Sequence, residues 1–224
     1  MVPNQRLVCD ALLFDLDGVL IDSTPCIVRH WREWSKIHGL DPDTVLAAAH
    51  GMRTIETMRT VAPHLDVAAE AACFTAHEVA DTVGVTAIPG AVALLSSLPP
   101  DAWAIVTSAG RALAKARLRQ AGLLIPKVIV SADDVARGKP DPEPYLTGAR
   151  RAGSPPGRCV VLEDAPAGVT AGRSAGMRVI GIVATHYRKA LFKAGATVVT
   201  DRLSRLRITE GEGDFRLAIQ MQAV

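Results

Sequence analysis

The sequence predicts an α/β protein: a parallel sheet covered on both faces, a helical unit inserted near its start, and a small β-hairpin at its end. Three observations predict this. From residue 88 onward, short apolar runs alternate with helix-like segments, the pattern of a parallel sheet with crossover helices. Between residues 20 and 86 the pattern is helical without strands. Several of the apolar runs end in polar groups, and in an open α/β sheet ligands bind beyond the carboxyl ends of the strands.

The first run, LLFDLDGVLIDS (12–23), ends in Asp15 and Asp17 ahead of Gly18. Side chains alternate along a strand, so two carboxylates two positions apart share a face while the chain stays extended. Read alone, Asp-Gly is also a common turn signal. The helical unit follows. Thr24 caps a helix with Pro25 in its first turn, Ile27, Trp31, Trp34 and Ile37 form its apolar stripe, and Gly39 stops it. Asp41-Pro42, Thr54 and Asp66 offer three further starts, so about four helices fit residues 20–86. The tryptophans read as core of this unit rather than as a substrate platform. The chain thus divides into a core of residues 1–19 and 87–224 and an inserted unit of residues 20–86, hinged near Leu20 to Ser23 and Gly84 to Pro89.

The remaining core strands are predicted at 103–107, 127–131, 158–163, 178–183 and 197–200, after a first at 11–15. Helices over 111–121, 142–152 and 166–175 end at Gly122, Gly153 and Gly176. RKALFK (188–193) reads as a solvated helix face. RLRIT (205–209) and DFRLAIQ (214–220) flank EGEG, an alternating pattern around a turn that predicts the hairpin.

Composition narrows the function class. A chain of 224 residues with 49% hydrophobic content can bury one substantial core and a small second unit. A net charge of +2 with scattered basic residues gives no case for nucleic acid or an anionic membrane. Cys9, Cys26, Cys73 and Cys159 are widely spaced without a zinc pattern, and reduced, mostly buried thiols are expected. The first residues lack a basic region followed by a long apolar stretch, and no segment approaches the roughly 20 apolar residues of a membrane helix. A cytoplasmic enzyme is expected.

Three further segments place polar groups where a strand or its following loop would end: WAIVTSAG with Thr107 and Ser108, RGKPDPEPY with Lys139, and CVVLEDAPAG with Glu163 and Asp164. Alone, Gly-Lys-Pro would be a surface turn, and Glu163-Asp164 a helix N-cap ahead of Pro166. In this order, after Asp15 and Asp17, the four segments resemble the motifs of the haloacid dehalogenase (HAD) superfamily over nearly the whole chain. HGMRTIETMRTVAP (50–63), IPGAVALLSSLP (88–99), GKPDPEPYLTGA (138–149) and VVLEDAPAGVTAG (160–172) resemble its sugar and polyol phosphate phosphatases, of the glycerol-phosphate and 2-deoxyglucose-6-phosphate phosphatase type.

The resemblance implies a Rossmann-like core, a helical cap, and a Mg²⁺-dependent phosphatase acting as a monomer on a small phosphate ester. Asp15 would be the nucleophile, forming an aspartyl-phosphate, and Asp17 the acid and base that serves both half-reactions. Lys139 would bridge the phosphoryl oxygens and Asp15, and Thr107 or Ser108 would bind phosphate. Mg²⁺ suits a few carboxylates, substrate oxygens and water. Its implied ligands are the Asp15 side chain, the Asp17 main-chain carbonyl and Asp164, with Glu163 a ligand or a support. Dehalogenases of this fold usually lack an aspartate two residues after the nucleophile, since a halide needs no proton, so Asp17 argues for phosphoryl transfer. Substrate choice would fall to the inserted unit, where His50, Arg53 and Glu56 are the polar candidates; each could instead lie on a solvated surface. A phosphosugar mutase of the β-phosphoglucomutase type is the alternative.

Overall fold

The computed structural model describes residues 6–49 and 51–221. In chain order the elements are β1 (Arg6–Cys9), β2 (Ala11–Phe14), β3 (Ile21–Asp22), α1 (Thr24–Ile37), α2 (Pro42–Ala49), α3 (Thr54–Val61), α4 (Val67–Ala80), β4 (Thr86–Ala87), α5 (Ala91–Ser96) and β5 (Trp103–Val106). They continue with α6 (Arg111–Gln120), β6 (Ile129–Val130), α7 (Glu143–Arg151), β7 (Cys159–Glu163), α8 (Pro166–Ser174), β8 (Arg178–Ile182), α9 (Arg188–Lys193), β9 (Val198–Thr200), β10 (Leu206–Glu210) and β11 (Leu217–Met221).

Six strands form one parallel sheet in the order β6-β5-β2-β7-β8-β9, each predicted at its place in the sequence. Leu12 pairs with Trp103 on one side and Val160 on the other, which puts β2 at the centre of the sheet. Alternation along the strands divides the core into two layers. Leu12, Phe14, Trp103, Ile105, Val160 and Leu162 face α5 and α6, while Ala11, Leu13, Ala104, Val106 and Val161 face α7, α8 and α9. Because the chain leaves β2 toward β5 on one side and returns to β7 on the other, a crevice opens at the carboxyl end of β2, where such sheets bind ligands.

The two linkers to the helical insertion pair with each other as the short antiparallel ribbon β3-β4. Helices α1–α4 enclose their own core of Trp31, Trp34, Val45, Met58 and Phe74, with the Trp31 and Phe74 rings 4.3 Å apart. Asp66 caps α4 as predicted, accepting from the Ala69 N–H at 3.2 Å. Two expectations for α1 are corrected. Its N-cap position is Ser23, with Thr24 the first helical residue, and the Ser23 hydroxyl makes no capping bond because it donates to Asp17 instead. Ile37 is 78% exposed: α1 ends there, and His38 instead packs on Trp34 and contacts Glu70.

The C-terminal hairpin forms as β10-β11, and β1, absent from the predicted strands, pairs with β11 to make a three-stranded antiparallel sheet. Arg158 fastens it to the core through Asp10 and Asp214 while stacking on Phe215. Cys9, Cys26 and Cys159 are buried thiols and Cys73 is exposed.

Candidate active site

The central strand delivers the first carboxylate. Asp15 follows β2 directly and continues its pairing, its N–H donating to the Leu162 carbonyl at 2.9 Å. The chain does not stay extended to Asp17. It makes a tight turn in which the Leu16 carbonyl accepts from the Leu20 and Ile21 amides, yet both carboxylates still line the same cavity. Gly18 makes the turn with φ +82°, and a Cβ there would meet Asp164 Oδ2 at 2.1 Å, so a glycine is required on two grounds. Asp164 follows β7 and Thr107 follows β5, so three adjacent strand ends present Asp15, Thr107 and Asp164 together. The cavity between them and the insertion, about 110 Å³, is also lined by Ser23, Trp31, Met52, Glu78, Ser108 and Arg117.

Lys139 enters from the loop between β6 and α7 and is buried. Its Nζ donates to Asp15 Oδ1 at 2.5 Å and to Glu163 Oε1 at 2.6 Å. Glu163 is fully committed: Oε1 also accepts from the Tyr145 hydroxyl at 2.9 Å, and Oε2 accepts from the Asp164 and Ala165 amides, both at 3.0 Å. The site admits this carboxylate only because residue 168 is glycine, since a Cβ added there would overlap Glu163 Oε1 at 1.6 Å. Burial alone would lower the Lys139 ammonium, but the Asp15 and Glu163 carboxylates outweigh it and push its pKa up. Lys139 is therefore a fixed cation.

One cation is too few for this cluster. Asp15, Glu163 and Asp164 each offer an oxygen within 4.8 Å of one another, all buried. Burial raises the Asp15 carboxyl well above its usual range; Lys139 opposes this while Glu163, Asp164 and Asp17 reinforce it. Asp164 is raised to about 7, by burial first and then by Glu163, with the Thr185 hydroxyl bond opposing. Three carboxylates facing one ammonium leave two negative charges, which a divalent cation would balance. With Glu163 saturated by four donors, Asp15 and Asp164 are the side chains left to hold it.

The two hydroxyls differ in what they have left to give. Ser108 donates to the Gly51 carbonyl of the insertion at 2.9 Å. Thr107 Oγ1 accepts from the Ala109 amide at 3.0 Å, an interaction that leaves its own proton for a ligand. Arg53 is the N-cap residue of α3, and its guanidinium pairs with Glu56 and reaches the Val135 and Ala136 carbonyls of the core. It lies against Gly138, one residue before Lys139, so Arg53 and Glu56 brace the loop that carries the lysine. His50 lies outside the described residues.

Sequence reasoning missed Arg117 and Glu78. Arg117 on α6 is buried and donates to Asp17 Oδ1 at 2.8 Å and to Glu78 Oε1 of α4 at 2.7 Å. A signal was present: Leu113, Ala114, Arg117 and Leu118 form one buried helical face, as do Ala71, Phe74 and Glu78. A lone charge on an apolar stripe needs a buried partner. Burial pushes Glu78 up to about 7 against the opposing Arg117.

A stability test follows from these shifts. The folded values of Asp164 and Glu78, about 7, exceed their ordinary values of 3.8 and 4.5, so in between the folded protein holds protons the unfolded chain has released. Their contribution is fully present below about pH 4 and is lost as pH rises through about 7. The metal-free protein should show a Tm that declines across that window, and an added divalent cation should recover it at the upper end. A Tm that rises across the window contradicts the assignment.

Comparison with known proteins agrees with this geometry. A family model described as haloacid dehalogenase-like hydrolase matches residues 9–176. Hexitol phosphatase A of Escherichia coli (strain K12) is 48% identical over 78% of this chain and 83% of its own length. Glycerol-1-phosphate phosphohydrolase 2 of Saccharomyces cerevisiae is 36% identical over 90% of this chain and 86% of its own. A crystal structure of a hydrolase from Pseudomonas syringae superposes with a TM-score of 0.76 at 28% identity, covering 88% of this chain and 94% of that one. The chain belongs to the haloacid dehalogenase-like hydrolases and is a phosphoric monoester hydrolase.

Proposed function

We propose that this chain is a Mg²⁺-dependent phosphatase of small sugar or polyol phosphate monoesters that works through an aspartyl-phosphate on Asp15. The observation that carries this reading is the Asp15–Lys139–Glu163 chain of buried ion pairs at the carboxyl end of the central strand, with Asp17 and Asp164 on the same cavity. Phosphoryl transfer needs an in-line nucleophile, positive charge around the phosphoryl oxygens, and a proton for the leaving alcohol. Asp15 attacks phosphorus, Lys139 holds the attacking carboxylate and the phosphoryl oxygens, and the Thr107 hydroxyl donates to one of those oxygens. Asp17 protonates the leaving alkoxide and later accepts a proton from water.

Asp15, Asp164 and the Asp17 main-chain carbonyl would hold Mg²⁺, with Glu163 orienting Lys139. When bound, the ion neutralises charge on the phosphoryl oxygens. Residues 20–86 act as a cap on a core of residues 1–19 and 87–224, and the Ser108–Gly51 and Arg53 contacts support a docked cap. The cap's cavity wall, with Ile27, Trp31, Leu46 and Met52, is mainly apolar, so it would select by shape and exclude water. No helix among the described residues is long and apolar enough to cross a membrane. The mutase alternative is not favoured, because the two relatives compared above, at 48% and 36% identity, are phosphatases.

The test is phosphate release across hexitol, glycerol and deoxyhexose phosphates with Mg²⁺ and then with EDTA. Release from at least one of these, abolished by EDTA and restored by Mg²⁺, is expected. Release that survives exhaustive chelation rejects the metal assignment, and isomerisation of glucose 1-phosphate with catalytic glucose 1,6-bisphosphate would favour the mutase.

A further inference from the structure

We propose that Arg117 is a positioning residue for Asp17, and that Glu78 makes this positioning depend on the docked insertion. The proposal rests on the phosphatase reading and concerns how its acid-base group is aimed. Arg117 stands on the core helix α6 and Glu78 on α4 of the insertion. One guanidinium spans both: Nη1 to Asp17 Oδ1 at 2.8 Å, Nη2 to Glu78 Oε1 at 2.7 Å. The Ser23 hydroxyl, at the hinge, donates to the same Asp17 Oδ1 at 2.5 Å. Two donors on one oxygen fix the carboxyl plane and leave Oδ2 for the proton that moves.

Stability alone does not account for the arrangement. Arg117 and Glu78 are each about 3% exposed, and buried ion pairs add little net stability over apolar side chains of the same size. Arg117 Nε is moreover buried with no hydrogen-bond partner, so its burial leaves a donor unsatisfied while both terminal nitrogens stay on carboxylates. Both residues line the cavity, and an insertion lifted away would take Glu78 with it.

In the first half-reaction an Asp15 oxygen bonds to phosphorus, the ester P–O bond breaks with its electron pair on the alcohol oxygen, and that oxygen takes the Asp17 proton. In the second, a water oxygen bonds to phosphorus, its proton returns to Asp17, and the bond from phosphorus to the Asp15 oxygen breaks, releasing phosphate. An aryl leaving group needs no proton in the first half, but the second half needs Asp17 whatever the substrate. Misplacing Asp17 therefore separates the two halves.

The experiment compares wild type, Glu78→Gln, and the paired variant Arg117→Met with Glu78→Met, which replaces the ion pair by apolar side chains and so keeps the fold. Stopped-flow with p-nitrophenyl phosphate and steady-state release from glycerol 1-phosphate are measured. In the paired variant, glycerol 1-phosphate turnover should fall about 10- to 100-fold, part of the full worth of an acid-base group. The ratio of burst rate to steady rate for p-nitrophenolate should rise by about tenfold, with a burst of about one per enzyme. Glu78→Gln should shift both readouts in the same direction by a smaller factor. Equal losses on both substrates without a change in burst ratio, or no loss in either variant, overturn the proposal. A wild type inert toward every phosphate ester would instead sink the phosphatase reading itself.

Discussion

Asp15→Asn should abolish turnover, lowering kcat by at least about 10⁴-fold, while leaving the protein folded. An amide keeps the shape and the hydrogen-bonding reach of the side chain but is a poor nucleophile toward phosphorus. The fold should survive because Lys139 retains Glu163 at 2.6 Å, so no buried charge is stranded. Removing one of four crowded carboxylates also relieves the repulsion from Glu163, Asp164 and Asp17. The metal-free variant should therefore melt at or above the wild-type temperature, as expected where a site holds like charges for function. Kinetics and a thermal melt on the same sample check both halves. Wild-type turnover removes Asp15 from the mechanism, and a large drop in Tm means that the carboxylate was holding the fold.

Asp17→Asn should lower steady-state turnover of an alkyl phosphate by about 10²- to 10⁴-fold, the usual worth of a positioned acid-base group. An asparagine can still accept from Ser23 and Arg117 at the same oxygen, so the turn after β2 should persist. It cannot deliver or take a proton. With p-nitrophenyl phosphate, phosphorylation of Asp15 should stay fast and only breakdown should slow, so the variant should accumulate the phosphoenzyme. Unchanged steady-state turnover of an alkyl phosphate would refute the acid-base role.

The strands were legible because they are buried on both faces: CVVLE and WAIV are continuous apolar runs, and each ends in a polar group that its neighbours do not explain. The arrangement of Asp15, Thr107, Lys139 and Asp164 followed from the order of those ends. β1 was not foreseen because RLVC is four residues long and becomes a strand only by pairing with β11, some 200 residues away in the chain. Arg117 was hidden for a different reason. In RALAKARLRQ four cationic side chains share ten residues, and only the helical phase separates the buried one that meets Asp17 from the three that are half-buried or exposed. What Glu163 does was not legible either, since its commitment to Lys139, Tyr145 and two amides depends on three separate segments meeting.

Covalent catalysis by Asp15 can be read from a trapped phosphoenzyme. The Asp17→Asn enzyme is mixed with phosphoryl-labelled p-nitrophenyl phosphate and Mg²⁺, quenched in acid, digested and mapped. Label is expected at about one per enzyme on the peptide containing Asp15, released by hydroxylamine as an acyl phosphate should be. A burst of p-nitrophenolate with no labelled Asp15 peptide, or label on another residue, would contradict it.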